Sequence, residues 1–258
     1  MVELNLLPVD APPARDLTDD EVARLREDLN HGSVDDDRFD ALYPAPIRDK
    51  SQRYWTPVEV ARKAASLLAR HDARRVLDIG SGPGKFCLVA ACARPDLDFT
   101  GVEHRAHFVE AARAAAQRLD LDNVRFFQAD ATEPAWFGFD GFYLYNPFAE
   151  NLYPVDDHLD ETVELSRRRF MSDVGRVTRC LANVAMGTCV VTYNGFGGPI
   201  PSAFELVHSE PAGCDWLRLW VKQHETADPG EYYLEGDDEV TLVQGKLSDL
   251  KERLAEML

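Results

Sequence analysis

A glycine-rich loop beside an acidic residue is the first place in this sequence where chemistry is expected. In the stretch "VLDIGSGPGKF", Gly80, Gly82 and Gly84 lie between an apolar run and a helix-like run. A strand that ends in glycines and leads into a helix exposes bare backbone N–H groups and a helix N-terminus at one point. Asp78 stands two positions before the first glycine, where its charge disfavours a phosphate and favours an ammonium group.

Two further acidic residues end the next two predicted strands. Glu103 ends "DFTGVE", and Asp130 ends "VRFFQAD". A carboxylate at such a strand end can accept both hydroxyls of a ribose, and a third carboxylate can accept the exocyclic amino group of an adenine. Three acids at consecutive strand ends beside a glycine loop therefore indicate a ligand that combines a ribose, an amine and a sulfonium.

A nicotinamide dinucleotide is the main alternative ligand for such a loop. Its fingerprint is G-x-G-x-x-G/A, in which the last small residue lets the helix pack against the sheet. Here the glycines follow G-x-G-x-G, and Lys85 occupies the last position of the fingerprint. This spacing and Asp78 both disfavour a pyrophosphate, and with it a nicotinamide-dependent oxidoreductase.

The elements that must position these residues alternate between strand and helix. The pattern predicts strands over 76–80, 98–103, 124–130, 141–148 and 187–195, and helices over 86–93, 106–119 and 159–183. Such alternation favours a parallel sheet with helices on both faces. After Gly198, "FELVHSEPAGCDWLRLWVKQ" indicates two antiparallel strands at a sheet edge, because the turn leaves no room for a crossover helix.

Three segments are predicted along the chain. Residues 1–50 form an N-terminal arm and a helical extension, whose helix begins after an N-cap at Thr18 and ends at Gly32. Residues 51–225 form the central domain. Residues 226–258 add a strand, "EVTLVQ", and a helix packed on the same domain through one apolar face: Leu247, Leu250, Leu254 and Met257.

The charge and cysteine content restrict the partners and the compartment. With 45 acidic and 28 basic residues the formal net charge is −17, which disfavours nucleic acid and membrane surfaces unless a local basic patch overrides the average. Five cysteines without a C-x-x-C pair predict free thiols in a reducing compartment. The absence of a secretory signal or a spanning run predicts a cytoplasmic protein. The histidines have no metal-ligand spacing, so no metal centre is predicted.

These residues resemble the class I S-adenosylmethionine-dependent methyltransferases. The resemblance covers about residues 56–223 through "VLDIGSGPG", "GVE", "FFQADA" and "YLYNPF". It implies an α/β, Rossmann-like fold with a mostly parallel seven-stranded sheet, an antiparallel last strand and helices on both faces. It implies S-adenosylmethionine as cofactor and S-adenosylhomocysteine as product. The cofactor-binding residues that it implies are Asp78, Gly80, Ser81, Gly82, Gly84, Glu103, Asp130, Ala131 and Asn146.

The segment "LYNPF" is the predicted acceptor site. Asn146 offers a carbonyl acceptor for the hydrogens of a target amine, Pro147 fixes the turn, and Phe148 offers a stacking face. The segment resembles the [DN]-P-P-[FYW] motif of amino-methylating enzymes, with one proline instead of two. It is also similar to the Asn-Asn-Phe segment of the non-SET histone-lysine methyltransferases. Thr56, in "RYWTPVEVA", resembles a Thr-Pro element that contacts the cofactor's carboxylate in many amino-methyltransferases.

The sequence thus predicts methyl transfer from S-adenosylmethionine to a nitrogen of a protein or small-molecule acceptor. Two alternatives stay open: a cofactor-binding module without catalysis, and an RNA methyltransferase, which a basic surface around Phe148 would favour. The run "RRR" at 167–169 is expected to be a solvated helix face, or else a contact for an anionic substrate. These patterns leave the oligomeric state undetermined.

Overall fold

The computed structural model describes residues 17–32, 34–51, 55–130, 136–225, 231–236 and 239–244. Three predictions fall outside these ranges. They are the N-terminal arm before residue 17, the contact of Ala131 with an adenine, and the C-terminal helix beyond residue 244.

A seven-stranded sheet forms the centre of the molecule. Its strands are β1 (Arg75–Ile79), β2 (Asp98–Glu103), β3 (Val124–Gln128), β4 (Gly141–Leu144), β5 (Cys189–Tyr193), β7 (Phe204–Ala212) and β8 (Asp215–Lys222). Their spatial order is β3-β2-β1-β4-β5-β8-β7. β1 to β5 pair in parallel, whereas β8, the last strand of this sheet along the chain, runs antiparallel to both β5 and β7. The predicted Rossmann-like fold class is confirmed.

Helices cover both faces of this sheet. They are α1 (Asp19–His31), α2 (Asp36–Asp40), α3 (Ala45–Arg48), α4 (Val58–Arg70), α5 (Lys85–Ala93), α6 (Ala106–Arg118) and α7 (Arg167–Asn183). Successive strand residues point to opposite faces of the sheet. Tyr143 packs in the core beneath α1, α4, α5 and α6, whereas Phe142 packs in the core beneath α7. Because β4 is buried on both faces, its sequence is continuously apolar.

The N-terminal helix begins and ends at the predicted residues. The Thr18 side chain accepts from the N–H of Glu21, and the Glu21 carboxylate accepts from the N–H of Thr18 at 2.8 Å, so a capping box is complete. Gly32 ends the helix in the left-handed conformation with φ 84°.

The long helix before β5 is shorter than predicted. The sequence predicts it over 159–183, but α7 begins only at Arg167, after Ser166 has capped the N–H of Arg169. Upstream, the N–H of Leu159 donates to Glu150 Oε1 at 2.7 Å, and the N–H of Ser166 donates to Asn151 Oδ1 at 3.1 Å. These side chains satisfy backbone donors that a helix would use, so the segment before Arg167 adopts turns instead.

A second, three-stranded sheet lies beside the first. It contains β6 (Ile200–Pro201), β9 (Glu231–Glu235) and β10 (Val240–Gln244) in the order β10-β9-β6. The sequence predicts β10 but not β6 or β9. A buried ion pair links the two sheets, with Arg218 Nη1 at 3.2 Å from Glu235 Oε2, and Thr192 donates to the same carboxylate at 2.8 Å. In the described part of the chain, no helix has the length and apolar character needed to cross a membrane.

Candidate active site

The carboxyl ends of the central parallel strands bring the predicted residues to one edge of the sheet. Asp78 on β1 lies beside Gly101 on β2 and Tyr143 on β4. Three small cavities, of about 150, 40 and 50 Å³, meet along this edge, and Gly80 lines all three. Open α/β sheets bind ligands at this edge, where the strand order reverses from β1 to β4.

Asp78 lies in the 40 Å³ cavity together with Thr56 and Ser81. The Asp78 side chain is buried, and this burial raises its pKa to about 7, although Cys87 Sγ donates to it at 3.5 Å and lowers the pKa in part. Thr56 Oγ1 lies 3.0 Å from the hydroxyl of Tyr143. Lys85 lines the same cavity, but its Nζ pairs with Asp36 and Asp40, so a ligand's ammonium group can supply the charge that the buried Asp78 carboxylate lacks.

Glu103 lies between the other two cavities and lines both. Its Oε1 accepts from the N–H of Arg105 at 2.8 Å, and its Oε2 accepts from the N–H of Gly82 at 3.1 Å. An ionised carboxylate has about four acceptor positions, so both oxygens can still accept from a pair of vicinal hydroxyls. Glu103 therefore keeps acceptor capacity toward both cavities.

The 50 Å³ cavity lies on the far side of Glu103. Asp130 and Phe148 line it, together with His104 and Arg169. Asp130 Oδ2 is 4.0 Å from Arg169 Nη2, and burial lowers the pKa of His104, which favours the neutral ring. Phe148 lines this cavity and not the 150 Å³ cavity of Asn146, and it is buried in the core under α7, so it does not offer the predicted stacking face to an acceptor beside Asn146.

The glycines of the loop differ in their roles. Gly80 has φ 73°, and a Cβ there would lie 2.8 Å from Pro147 Cβ, so the loop contacts the "NPF" turn directly. Gly82 faces open space. Gly84 lines none of the three cavities; a Cβ there would lie 2.5 Å from Phe126, so this glycine lets α5 begin against β3.

Two asparagines at the ends of β4 and β5 line the 150 Å³ cavity. Asn146 has φ 39° and Asn194 has φ 52°, a left-handed conformation that asparagine tolerates better than most residues. The N–H of Asn146 donates to Gly195 O at 3.1 Å, which joins the two strand ends. Among the described residues, neither side-chain amide has a hydrogen-bond partner. Both amides are therefore available to a ligand.

Sequence reasoning missed Arg105, which is 4% exposed and lines two of the cavities. Its guanidinium lies 2.9 Å from Glu150 and 3.1 Å from Asp160, so it holds the segment 149–166 against the cavity mouth. The only signal for Arg105 in the sequence is its position two residues after Glu103, the acid predicted to bind the ribose. Trp55, beside Thr56, lines two cavities and was also missed.

The residues at this edge fit S-adenosylmethionine. The buried carboxylate of Asp78, the paired acceptors of Glu103 and the carboxylate of Asp130 occur in this order along the three connected cavities. That order matches an amino-acid group, a ribose and an adenine amine. The loop between the first two carboxylates has no side chain at Gly80 and Gly82 that would fill the space.

Comparison with known proteins agrees with this geometry. Residues 70–140 match a family profile described as a methyltransferase domain. The match covers the glycine loop, Glu103 and Asp130. The match confirms the predicted enzyme class and, with it, S-adenosylmethionine as the cofactor.

Known relatives of the methyltransferase domain include RNA-modifying enzymes. A tRNA (guanine-N(7)-)-methyltransferase of Synechococcus sp. (strain JA-3-3Ab) is 52% identical over 54 residues, which are 21% of this chain and 23% of the relative. The 23S rRNA (uracil(747)-C(5))-methyltransferase RlmC of Shewanella baltica (strain OS195) is 31% identical over 116 residues, 44% of this chain and 26% of the relative. The chain thus spans about a quarter of the length of these relatives. TrmN from Thermus thermophilus is a similar solved structure, with TM-score 0.49 and 21% identity over 68% of this chain and 52% of that one.

These relatives overturn one prediction. From the net charge of −17, the sequence disfavours nucleic acid as a partner, yet the named relatives act on tRNA and rRNA. The prediction is wrong because net charge averages over the whole surface, whereas RNA contacts only a part of it. The local charge can differ from the average: α7, for example, contains five arginines and one aspartate.

Proposed function

We propose that the protein methylates RNA, and that the acceptor is a nitrogen of a base held between Asn146 and Asn194. The observation that carries the proposal is the pair of unpartnered side-chain amides in the cavity beside Gly80 and Glu103. An amide presents a donor and an acceptor together, which matches the edge of a nucleobase. The relatives that modify tRNA and rRNA support RNA as the acceptor class.

A nitrogen acceptor is favoured over a carbon acceptor by the residues around the cavity. Methylation at carbon 5 of a uracil requires a nucleophile, typically a thiolate, to add to the ring first. None of the described cysteines lines the three cavities, and burial raises the pKa of the nearest one, Cys87. A base nitrogen already has a lone pair and needs only to be oriented.

The chain's own groups would act by orientation and by exclusion of water. S-adenosylmethionine, when bound, supplies an electrophilic methyl group for in-line displacement. Asn146 Oδ1 accepts a hydrogen from the target nitrogen and so directs its lone pair, while Pro147 keeps the turn in contact with Gly80. Arg105 and Glu150 close one side of the cavity against solvent. The proton that the methylated nitrogen loses passes to solvent, because an amide is no base.

A cytoplasmic location belongs to the same proposal. Free cysteines in the described chain and an RNA acceptor both agree with a reducing compartment in which RNA is present.

The test is transfer of a tritiated methyl group from S-adenosylmethionine to total RNA and, separately, to total protein. We expect label in RNA, and digestion to nucleosides should yield an N-methylated base. Label only in protein would contradict the RNA acceptor. Tight cofactor binding without label in either pool would favour a cofactor-binding module without catalysis.

Asn146 can be tested without disturbing the turn. Asn146→Gly removes the amide but keeps a residue that tolerates positive φ, and it should lower kcat by roughly 100-fold with little change in cofactor affinity. Asn146→Asp keeps an acceptor oxygen and should retain more activity than the glycine variant. Asn30→Ala, at an exposed position on α1, is the matched control. Equal activity of Asn146→Gly and Asn30→Ala would refute the role of Asn146.

A further inference from the structure

α7 is the most positively charged of the described helices, and its exposed face is continuous. Arg168, Ser172, Arg176, Arg179 and Asn183 are all exposed. Steps of three and four residues place them in one row along the helix. A helix of 17 residues is about 25 Å long, so this row spans nearly that length.

The two ends of the row lie at different features. At the first end, Arg169 lines the cavity of Asp130, which is part of the proposed cofactor site. At the other end, Arg176, Arg179 and Asn183 line a separate cavity of about 430 Å³. Arg169 lies outside the exposed row but directly follows Arg168, so the row begins next to a residue of the proposed cofactor site and ends at this separate cavity.

Aromatic residues complete the distant cavity. Trp136 is buried and stacks on Phe142 with ring centroids 4.7 Å apart, and its Nε1 has no hydrogen-bond partner among the described residues. The next residue, Phe137, is 85% exposed, which leaves a large apolar ring in solvent at the cavity rim. No acidic residue of the described chain lines this cavity, although the protein has 45 of them.

We propose that this surface, the arginine row of α7 and the cavity of Trp136 and Phe137, binds the RNA whose base reaches the active site. The inference rests on the proposed RNA acceptor. Arginines in a row match the phosphates of a nucleic-acid strand, and an exposed aromatic ring offers a stacking face to an unpaired base. A local surface of this kind allows a protein of net charge −17 to bind a polyanion.

The experiment measures binding of fluorescein-labelled bulk tRNA by fluorescence anisotropy, with saturating S-adenosylhomocysteine, between 50 and 200 mM salt. Arg176→Glu/Arg179→Glu should weaken binding by about tenfold or more and reduce the slope of log affinity against log salt by about 2, one for each phosphate contact. Phe137→Ala should weaken binding with no change in that slope. Unchanged affinity for S-adenosylhomocysteine, measured by calorimetry, shows that each variant is folded.

Arg24→Glu/Arg70→Glu is the matched control. Both arginines are exposed, on α1 and α4, and the double reversal changes the net charge by the same amount. If tRNA binds at α7, this double variant should change tRNA affinity by less than about threefold, because its reversed charges lie on other helices. An equal loss in the two double variants would overturn the proposal, because the effect would then come from overall charge.

The remaining outcomes separate this proposal from the proposed function. If the protein methylates RNA while the α7 variant binds and methylates it as well as the wild type, the surface is wrong and the function stands. If tRNA binds through α7 but no RNA is methylated, the surface stands and the function is wrong. If the wild type binds no tRNA but binds an acidic peptide through α7, the RNA surface is wrong.

Discussion

At the scale of single residues, Asp78 has the most unusual environment at the site. Its carboxylate is buried beside Cys87, and burial raises its pKa to about 7. In the free protein it therefore carries a proton below pH 7, and a ligand's ammonium group must displace that proton. Binding and proton release are linked at this one residue.

This linkage predicts that affinity for S-adenosylhomocysteine increases with pH. Asp78 is mostly protonated at pH 6 and mostly ionised at pH 8, so affinity should rise by about tenfold between them if the ammonium ion keeps the bound carboxylate ionised. Calorimetry at both pH values measures it. Asp78→Asn should bind weakly at both, with the pH dependence removed.

A second ligand controls for other titrating groups near the site. 5′-Methylthioadenosine keeps the adenosine but has no ammonium group, so its affinity should not rise with Asp78 ionisation. Any pH dependence of its affinity would come from other groups such as His104, which lines the cavity of Asp130 and whose pKa is lowered by burial. Equal pH dependence for both ligands would contradict the role of Asp78.

At the scale of elements, the segment between β4 and α7 forms one wall of the site. Arg105, from the loop after β2, contacts Glu150 and Asp160 in that segment, and Leu159 donates to the same Glu150 carboxylate. The contact joins residues far apart in the chain. Because the arginine is nearly fully buried, its two ion pairs are shielded from solvent and hold the wall against the loop after β2.

Arg105→Met should loosen the wall. It leaves the nearly buried Glu150 carboxylate without its cation, which costs roughly 3–5 kcal/mol of unfolding free energy. Amide hydrogen exchange over 149–166 should accelerate, and S-adenosylhomocysteine should bind about tenfold more weakly, equivalent to about 1.4 kcal/mol. Arg105→Met/Glu150→Gln should recover part of the stability.

Arg113→Met is the control for Arg105→Met. Arg113 donates to Phe126 O at 3.0 and 2.7 Å and lines none of the three cavities. Its loss should lower stability without changing exchange over 149–166. If both variants accelerate that segment equally, Arg105 does not hold the wall.

At the scale of the whole molecule, the N-terminal helices are joined to the glycine loop. Lys85 is nearly fully buried, with Nζ at 2.6 Å from Asp36 Oδ1 and 2.7 Å from Asp40 Oδ1. The hydroxyl of Tyr43 donates to Pro83 O at 2.9 Å. The segment 1–50, predicted as an extension, thus contacts the cofactor loop through its described residues.

Lys85→Met should destabilise the whole molecule in one transition. Removing the cation leaves Asp40, whose pKa burial already raises, without compensation, and the loss should be roughly 3–5 kcal/mol. Calorimetric unfolding measures it. Lys63→Met, at a half-exposed ion pair with Glu59, should cost less than about 1 kcal/mol. A separate low-temperature transition in Lys85→Met would mean that the N-terminal helices unfold on their own.

The sequence by itself determined the features that depend on local pattern. Hydrophobic period, glycine spacing and the residue type at Thr18 predicted the alternating strands, the cap at Thr18, and the strands that carry Asp78 and Glu103; Asp130, predicted to end β3, lies two residues beyond its last residue, Gln128. These predictions succeeded because each depends on neighbours within a few residues. Since parallel strands end at one edge of a sheet, the order of elements was enough to bring the three acids together.

Only the tertiary structure decided the contacts between distant residues. It paired Arg105 with Glu150 and Lys85 with Asp40, and it placed Phe126 where a side chain at Gly84 would be. It also left Arg168, Arg176 and Arg179 of α7 exposed, whereas Arg169 lines the cavity of Asp130. The physical reason is the same in each case: burial and local potential depend on which residues meet in space, and neither composition nor spacing along the chain contains that information.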